Sequence, residues 1–114
     1  MNQKEEIGHY PSVSIIIINY RTYELTIDCV HSLEKLRYPN YDVIIVDNGS
    51  SNQSYQRLKD EFGQKHTIIR IESNSGYAAG CNIGAKEALA RNSEFMLVLN
   101  NDTLIEDPEM LNIL

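Results

Sequence analysis

An α/β fold, a mostly parallel sheet flanked by helices, follows from three features of the sequence. Short β-branched runs alternate four times with amphipathic or alanine-rich stretches, each intervening stretch is long enough for a parallel crossover, and every strand closes in a polar turn cluster.

Val13 to Asn19, the first element, is a continuous β-branched run after Pro11, the pattern of a strand buried on both faces. Thr22 is placed to cap a helix with Glu24 in its first turn, and Leu25, Cys29, Leu33 and Leu36 fall on one helical face before Pro39 forbids continuation. Tyr41 to Val46 is the second strand, ending in the turn formers Asp47, Asn48, Gly49, Ser50 and Ser51. A short helix comes next with Tyr55, Leu58 and Phe62 inward and Gly63 at its end, and Thr67 to Glu72 is the third strand. Tyr77 to Ala90 is an alanine-rich helix in which Gly76, Gly80 and Gly84 recur every fourth residue. That spacing predicts close approach of the helix to the sheet or of a ligand to its start, since Asn82, Lys86 and Glu87 forbid a lipid-facing span. Phe95 to Leu99 is the fourth strand. Asp107 and Pro108 then suit the start of another helix with only six residues left, so the chain is expected to be the first part of a longer protein.

Composition narrows the function. At 114 residues with 42% apolar content the chain has material for one core. Ten basic against sixteen acidic residues give a net charge of -6 with the cations scattered, which argues against a nucleic-acid partner held through its phosphates. No run approaches the length of a membrane span. Residues 1–10 are polar, without a hydrophobic signal segment, and read as a flexible leader on a cytoplasmic protein. Cys29 and Cys81 read as small core residues in a reducing compartment; His9, His31 and His66 are assigned no role.

In an open parallel sheet, ligands bind outside the carboxyl ends of the strands. The polar clusters fall there: Asn19 to Arg21, Asp47 to Gly49, Asn74 and Gly76, and Asn100 to Thr103. Neither G-x-x-x-x-G-K-[ST] nor G-x-G-x-x-G is present, so a diphosphate would be held through a divalent cation rather than a bare backbone cradle, and Asp102 is the best anchor for it. A receiver-like signalling module phosphorylated on Asp47 or Asp102 is the competing reading, but it would want acidic residues where the first strand ends in Asn19, Tyr20 and Arg21.

The series Val13-Ser-Ile-Ile-Ile-Ile-Asn-Tyr20, Val43-Ile-Ile-Val-Asp-Asn-Gly-Ser50, Asn74-Ser-Gly-Tyr-Ala-Ala-Gly-Cys-Asn-Ile-Gly84 and Leu97-Val-Leu-Asn-Asn-Asp-Thr103 resembles family 2 glycosyltransferases, with a Rossmann-like fold of the GT-A type. It looks closest to the bacterial rhamnosyltransferase-like branch, from about Pro11 to the end. The resemblance implies that residues 11–114 are the nucleotide-sugar-binding part of such an enzyme. It implies that Ile18, Asn19 and Tyr20 flank the nucleobase, that Asp47 accepts its imino hydrogen, and that Asn74, Gly76 and Asn82 shape the donor pocket. Asn100, Asn101 and Asp102 would occupy the place of the family's Asp-x-Asp motif, with Asp102 as ligand of Mn²⁺ or Mg²⁺ and the Asn100 side-chain carbonyl free to accept from a ribose hydroxyl. The implied donor is a UDP- or dTDP-sugar and the implied acceptor a glycan or lipid-linked hydroxyl, at the inner face of the membrane in the full-length protein. The general base is expected beyond Leu114.

Overall fold

The computed structural model describes residues 10–114; residues 1–9, which hold most of the expected leader and His9, lie outside the described residues. Tyr10 belongs to the fold: its ring meets Tyr38 edge-on at 5.5 Å, and Asn40 Nδ2 donates to its carbonyl at 2.8 Å.

The elements run β1 (Val13–Asn19), α1 (Tyr23–Ser32), β2 (Tyr41–Asn48), α2 (Ser54–Phe62), β3 (Thr67–Ile71), α3 (Tyr77–Ala90) and β4 (Phe95–Leu99), with 3-10 turns at Leu33–Lys35 and Met110–Ile113. All three strand pairings are parallel, in the order β3-β2-β1-β4. The continuous apolar runs of β1 and β2 thus occupy the two central positions, where both faces are covered. On one face Val13, Ile15 and Ile17 of β1 join Cys29, Val30, Leu58, Phe62, Ile105 and Leu111. On the other Ile16 and Ile18 join Ile44, Val46 and Ala88.

α3 lies close to the sheet because it carries glycines where it crosses β1. A Cβ added at Gly84 would stand 2.5 Å from Ile16 Cγ2, and one at Gly80 would stand 3.1 Å from Ile18 Cγ2. At Gly80 and Gly84 the glycine spacing is therefore helix-to-sheet packing, whereas a Cβ at Gly76 would meet nothing within 4 Å.

The structure departs from the sequence expectation at several places. α1 keeps the anticipated face at Cys29 and Leu33, both buried, but departs from it at its start: Leu25 is 45% exposed, Leu36 lies beyond the helix, and Thr26, Val30 and Ser32 are buried as well. The reason is polar. Thr26 is drawn inward by hydrogen bonds, and Ser32 Oγ donates to the Cys29 carbonyl at 2.6 Å and accepts from Ile105 N at 2.9 Å, which coincides with tightening of the last turn into the 3-10 segment. Thr22 occupies the N-cap without a side-chain cap bond. In α2 the buried positions are Ser54, Leu58 and Phe62, while Tyr55 is only half-buried because its ring takes the cations of Lys59 and Arg70 at 5.6 and 5.4 Å. β2 runs two residues further than Val46, through Asp47 and Asn48, because these still pair with Arg70 and Ile71. Asp107 does accept from Glu109 N at 2.9 Å, but the segment after it forms a 3-10 turn rather than an α-helix.

His31 joins α1 to α2: Nδ1 meets Glu34 at 3.0 Å and Nε2 meets Glu61 at 2.7 Å. These bonds, that to Glu61 foremost, raise its pKa above the usual 6.5. A raised folded-state value means that the contribution is fully present below the unfolded pKa and is lost as pH rises through the folded one.

Two outcomes are expected. Gly84→Ala should destabilise the chain by about 1–3 kcal/mol through overpacking against Ile16, and Leu25→Ala by under about 0.5 kcal/mol, measured by urea denaturation. His31→Gln should lower the thermal midpoint at pH values below the unfolded pKa of about 6.5, and the difference from wild type should shrink as pH rises through the higher folded-state value.

Candidate functional site

The order β3-β2-β1-β4 places a topological switch beside β1: the chain steps outward through β2 and β3, then crosses back to pair β4 on the other side of β1. At such a point the connections leaving adjacent strands diverge, and a crevice opens at the carboxyl ends. A cavity of about 390 Å³ lies there. Ile18 and Tyr20 line it from the end of β1, Thr22 from the start of α1 and Asn48 from the end of β2. Asn74, Gly76 and Tyr77 contribute from the entry to α3, and Asn100, Asn101 and Asp102 from the end of β4.

Beside this cavity runs a continuous hydrogen-bond relay. Asn101 Nδ2 donates to Thr26 Oγ1 at 3.1 Å, and Thr26 Oγ1 donates to Asn19 Oδ1 at 2.7 Å. Asn19 Nδ2 donates to Asp47 Oδ1 at 3.0 Å, and Ser50 Oγ donates to the same oxygen at 2.5 Å. Arg21 N completes it by donating to Ser50 Oγ at 2.8 Å. Asn19, Thr26 and Asp47 are 0% exposed. The relay holds Arg21 at φ 61°, a left-handed conformation that a non-glycine residue adopts at a cost, and Asn52 Nδ2 fixes its carbonyl at 3.0 Å.

The loop after β2 is set by sterics as well. Gly49 has φ 71°, and a Cβ there would stand 2.3 Å from Asn74 N, so only glycine lets this loop pack onto the entry to α3. Asn48 Nδ2 adds a bond to the Gly76 carbonyl at 2.9 Å. Gly76 is the N-cap of α3 at φ 97°, and Asn74 Oδ1 accepts from its N–H at 2.8 Å.

The anticipated site residues fall into three groups. Ile18, Tyr20, Asn74, Gly76, Asn100, Asn101 and Asp102 share the cavity. Asn19 and Asp47 do not line it; they are buried in the relay, where Asp47 Oδ2 has no hydrogen-bond partner. Asn82 is exposed on α3 and does not line the cavity. The Asn100 side-chain carbonyl accepts from Tyr77 Oη at 3.4 Å, so it is shared rather than free. Thr22 and Tyr77 line the cavity without having been assigned to it by sequence, Thr22 being read as a helix cap and Tyr77 standing inside a family-like motif, whereas Asn48 lies in the polar cluster that closes β2. Thr26, within α1, had no signal, and Ser50 stands in the same β2 cluster without an assigned role. Behind the motif, burial and then the nearby Asp102 push the Cys29 thiol up to about 11, and its Sγ lies 3.9 Å from the Asn100 backbone carbonyl. Both cysteines are free.

The donor set limits what cation could be held. Among the described residues no three His, Cys, Asp or Glu side chains cluster as a protein-only metal site, and Asp102 is the one carboxylate lining the cavity. One exposed carboxylate among amides fits a hard divalent ion that draws its other ligands from substrate oxygens and water. An apolar hollow of about 260 Å³ lies between β4 and the 3-10 turn, lined by Phe95, Leu97, Met110 and Leu111 among others, and offers no such polar convergence.

Comparison with known proteins agrees with this geometry. The model of glycosyl transferase family 2 matches residues 14–114. The poly-beta-1,6-N-acetyl-D-glucosamine synthase of Staphylococcus epidermidis is 30% identical over 106 residues, covering 91% of this chain and 25% of the synthase. The crystal structure of S. aureus TarS 1–349 in complex with UDP-GlcNAc superposes with TM-score 0.76 at 26% identity, covering 90% of this chain and 29% of that one. The mannosyltransferase PcManGT from Pyrobaculum calidifontis, in complex with GDP-Man and Mn²⁺, has TM-score 0.77 at 19% identity, covering 90% and 31%, and shows the shared fold. The chain thus spans about a quarter to a third of these proteins.

Asn19→Ala would leave the Thr26 hydroxyl without its acceptor and Asp47 Oδ1 with one donor fewer, both out of water. It should cost about 2–4 kcal/mol in urea denaturation, against under about 0.5 kcal/mol for the exposed Asn82→Ala.

Proposed function

The chain belongs to glycosyl transferase family 2, and from that premise we propose that it is the donor-binding part of an inverting enzyme that moves a sugar from a nucleoside diphosphate to an acceptor hydroxyl. The single observation that carries this reading is the cavity at the switch point, where four asparagines, two tyrosines and one carboxylate converge. Polar hydrogen-bonding groups with a lone anion suit a ligand that is itself anionic and rich in hydroxyls. The receiver-like reading is not favoured: Asp47 is 0% exposed, and Asp102, though exposed, lines the cavity without a second carboxylate to form the acidic cluster a receiver would want.

In this reading the half-exposed ring of Tyr20 stacks on the nucleobase. Asp47 Oδ2, buried without a partner, accepts the imino hydrogen of a uracil or thymine ring, which requires the side chains around it to part on binding. Asn74 and Gly76 flank the ribose and diphosphate, while Asn100, its side-chain carbonyl shared with Tyr77, turns its amide hydrogens to ligand oxygens. Asp102 would hold a Mn²⁺ or Mg²⁺ ion, which would supply charge neutralisation for the leaving diphosphate. The acceptor hydroxyl attacks the anomeric carbon from the opposite face and needs a general base. Apart from Asp102 no acidic side chain lines the cavity, so we assign that base to a part of the enzyme other than this chain. The 114-residue chain then binds donor without transferring sugar.

Relatives of the chain include a poly-N-acetylglucosamine synthase and a teichoic acid polymerase. They favour cell-surface polysaccharide synthesis for the full-length protein; to that reading we add, as our own proposal, a UDP- or dTDP-sugar as donor, a glycan or lipid-linked acceptor, and a place at the cytoplasmic face of the membrane. No helix among the described residues is long and apolar enough to cross that membrane.

Calorimetry with UDP, dTDP and GDP, each with Mn²⁺ and with chelator, tests the reading. A pyrimidine nucleotide should bind, and metal and nucleotide should tighten one another by the same factor. Asp102→Ala should abolish that mutual tightening while sparing metal-free affinity; an unchanged metal dependence would remove Asp102 from the role.

A further inference from the structure

Thr26 stands where the two sides of the cavity meet. Its hydroxyl is 0% exposed, yet it sits on the helix, not on any strand end, and does not line the cavity. It has one donor proton and spends it on Asn19 Oδ1 at 2.7 Å, while accepting from Asn101 Nδ2 at 3.1 Å. Asn19 in turn holds Asp47 Oδ1 at 3.0 Å. Asn101 lies between Asn100 and Asp102, and its Nδ2 also donates to Thr22 Oγ1 at 2.8 Å. The loop that carries Asp102 is therefore fastened to the first turn of α1 through the Asn101 amide, with the longer Cys29 Sγ contact to the Asn100 carbonyl beyond it, and through Thr26 it is joined by hydrogen bonds to the buried carboxylate of β2.

We propose that Thr26 is a positioning residue that sets the Asp102 loop against the Asp47 side of the cavity, so that one nucleotide can engage both. This rests on the donor-site reading above. The direction of the relay supports it. A carboxylate oxygen only accepts, so Asn19 must present its NH₂ to Asp47 and its carbonyl to Thr26, which obliges the Thr26 hydroxyl to donate there and leaves its lone pairs for Asn101. Each amide thereby has one orientation, and Asn101 cannot flip without losing its bonds to both threonines. Fixed in this way, the backbone of the loop presents Asp102 at a constant place relative to the base-binding end, the preorganisation that a ligand spanning both ends requires.

Thr26→Val keeps the shape and removes the hydroxyl, and Thr26→Ser keeps the hydroxyl. The probe is UDP, titrated into the 114-residue chain with Mn²⁺ and with chelator, and the quantity read is the factor by which metal tightens UDP. That factor should fall about fivefold in Thr26→Val and stay within about twofold of wild type in Thr26→Ser. A residue that merely supported the fold would lower the melting temperature and leave the factor alone. An undiminished factor in folded Thr26→Val overturns the inference while leaving the donor site intact, whereas no UDP binding by the wild-type chain overturns the donor-site reading and this inference with it. Should the valine variant fail to fold, the wild-type protein still decides. Adding Mg²⁺ to the UDP-bound chain should shift the side-chain amide resonances of Asn19, which does not line the cavity. Unmoved Asn19 resonances overturn the proposal.

Discussion

The buried relay from Asn101 through Thr26, Asn19, Asp47 and Ser50 to the Arg21 amide is the interaction on which the rest of the site depends. It joins the ends of β4, β1 and β2, three strands whose exits would otherwise be independent loops. In a medium of low polarisability each bond is stronger than in water, and each group left without its partner is costly, so the arrangement has few alternatives. It also explains features that look unrelated: a non-glycine residue in a left-handed conformation at Arg21, and a threonine turned inward from α1 beside an exposed Leu25.

The relay can sit there because the sheet brings those ends together. β1 and β2 carry apolar side chains on both faces, which fixes them at the centre, and the return to β4 beside β1 opens the crevice. α3 completes the wall. Its Gly80 and Gly84 let it lie against Ile18 and Ile16, and this brings its first turn, with Asn74, Gly76 and Tyr77, up to the cavity. Gly49 performs the matching service for the loop after β2, whose close passage over Asn74 leaves no space for a side chain. Glycine placement thus sets the depth of the cavity and the relay sets the orientation of its polar groups.

Much of this was legible in the sequence, and the parts that were not share a cause. The β-branched runs of β1 and β2, the crossovers and the polar clusters at strand ends carried the fold and the rim on which the site lies, because period and turn chemistry are local signals, while the seven anticipated residues that share the cavity were those the family resemblance implied. What needed the structure was side-chain direction at polar positions. Thr26 reads in one dimension as a helix-surface hydroxyl, and only the partner from β1 explains its burial. Leu25 reads as core and is exposed, while its neighbour Thr26 is buried by its polar partners. Asn82, assigned to the pocket through the motif around it, is exposed on α3 and does not line the cavity. Asp47 was legible as a special residue but not as a fully buried one, because burial depends on what Asn19 and Ser50 do.

The chemistry follows from the same asymmetry. Amides and hydroxyls outnumber charges at the cavity, and a single carboxylate faces it from the β4 side, so any cation there must be completed by its ligand. The site is built to hold a ligand across its width rather than to store a metal by itself. Mapping backbone amide shifts of the 114-residue chain on addition of UDP with Mg²⁺ tests this most directly. The account predicts the largest changes at Tyr20, Asn48, Tyr77 and Asn101, on all sides of the cavity at once, with Met96 and Leu111 at the apolar hollow unmoved. Changes confined to that hollow, or to one edge of the cavity alone, would contradict it.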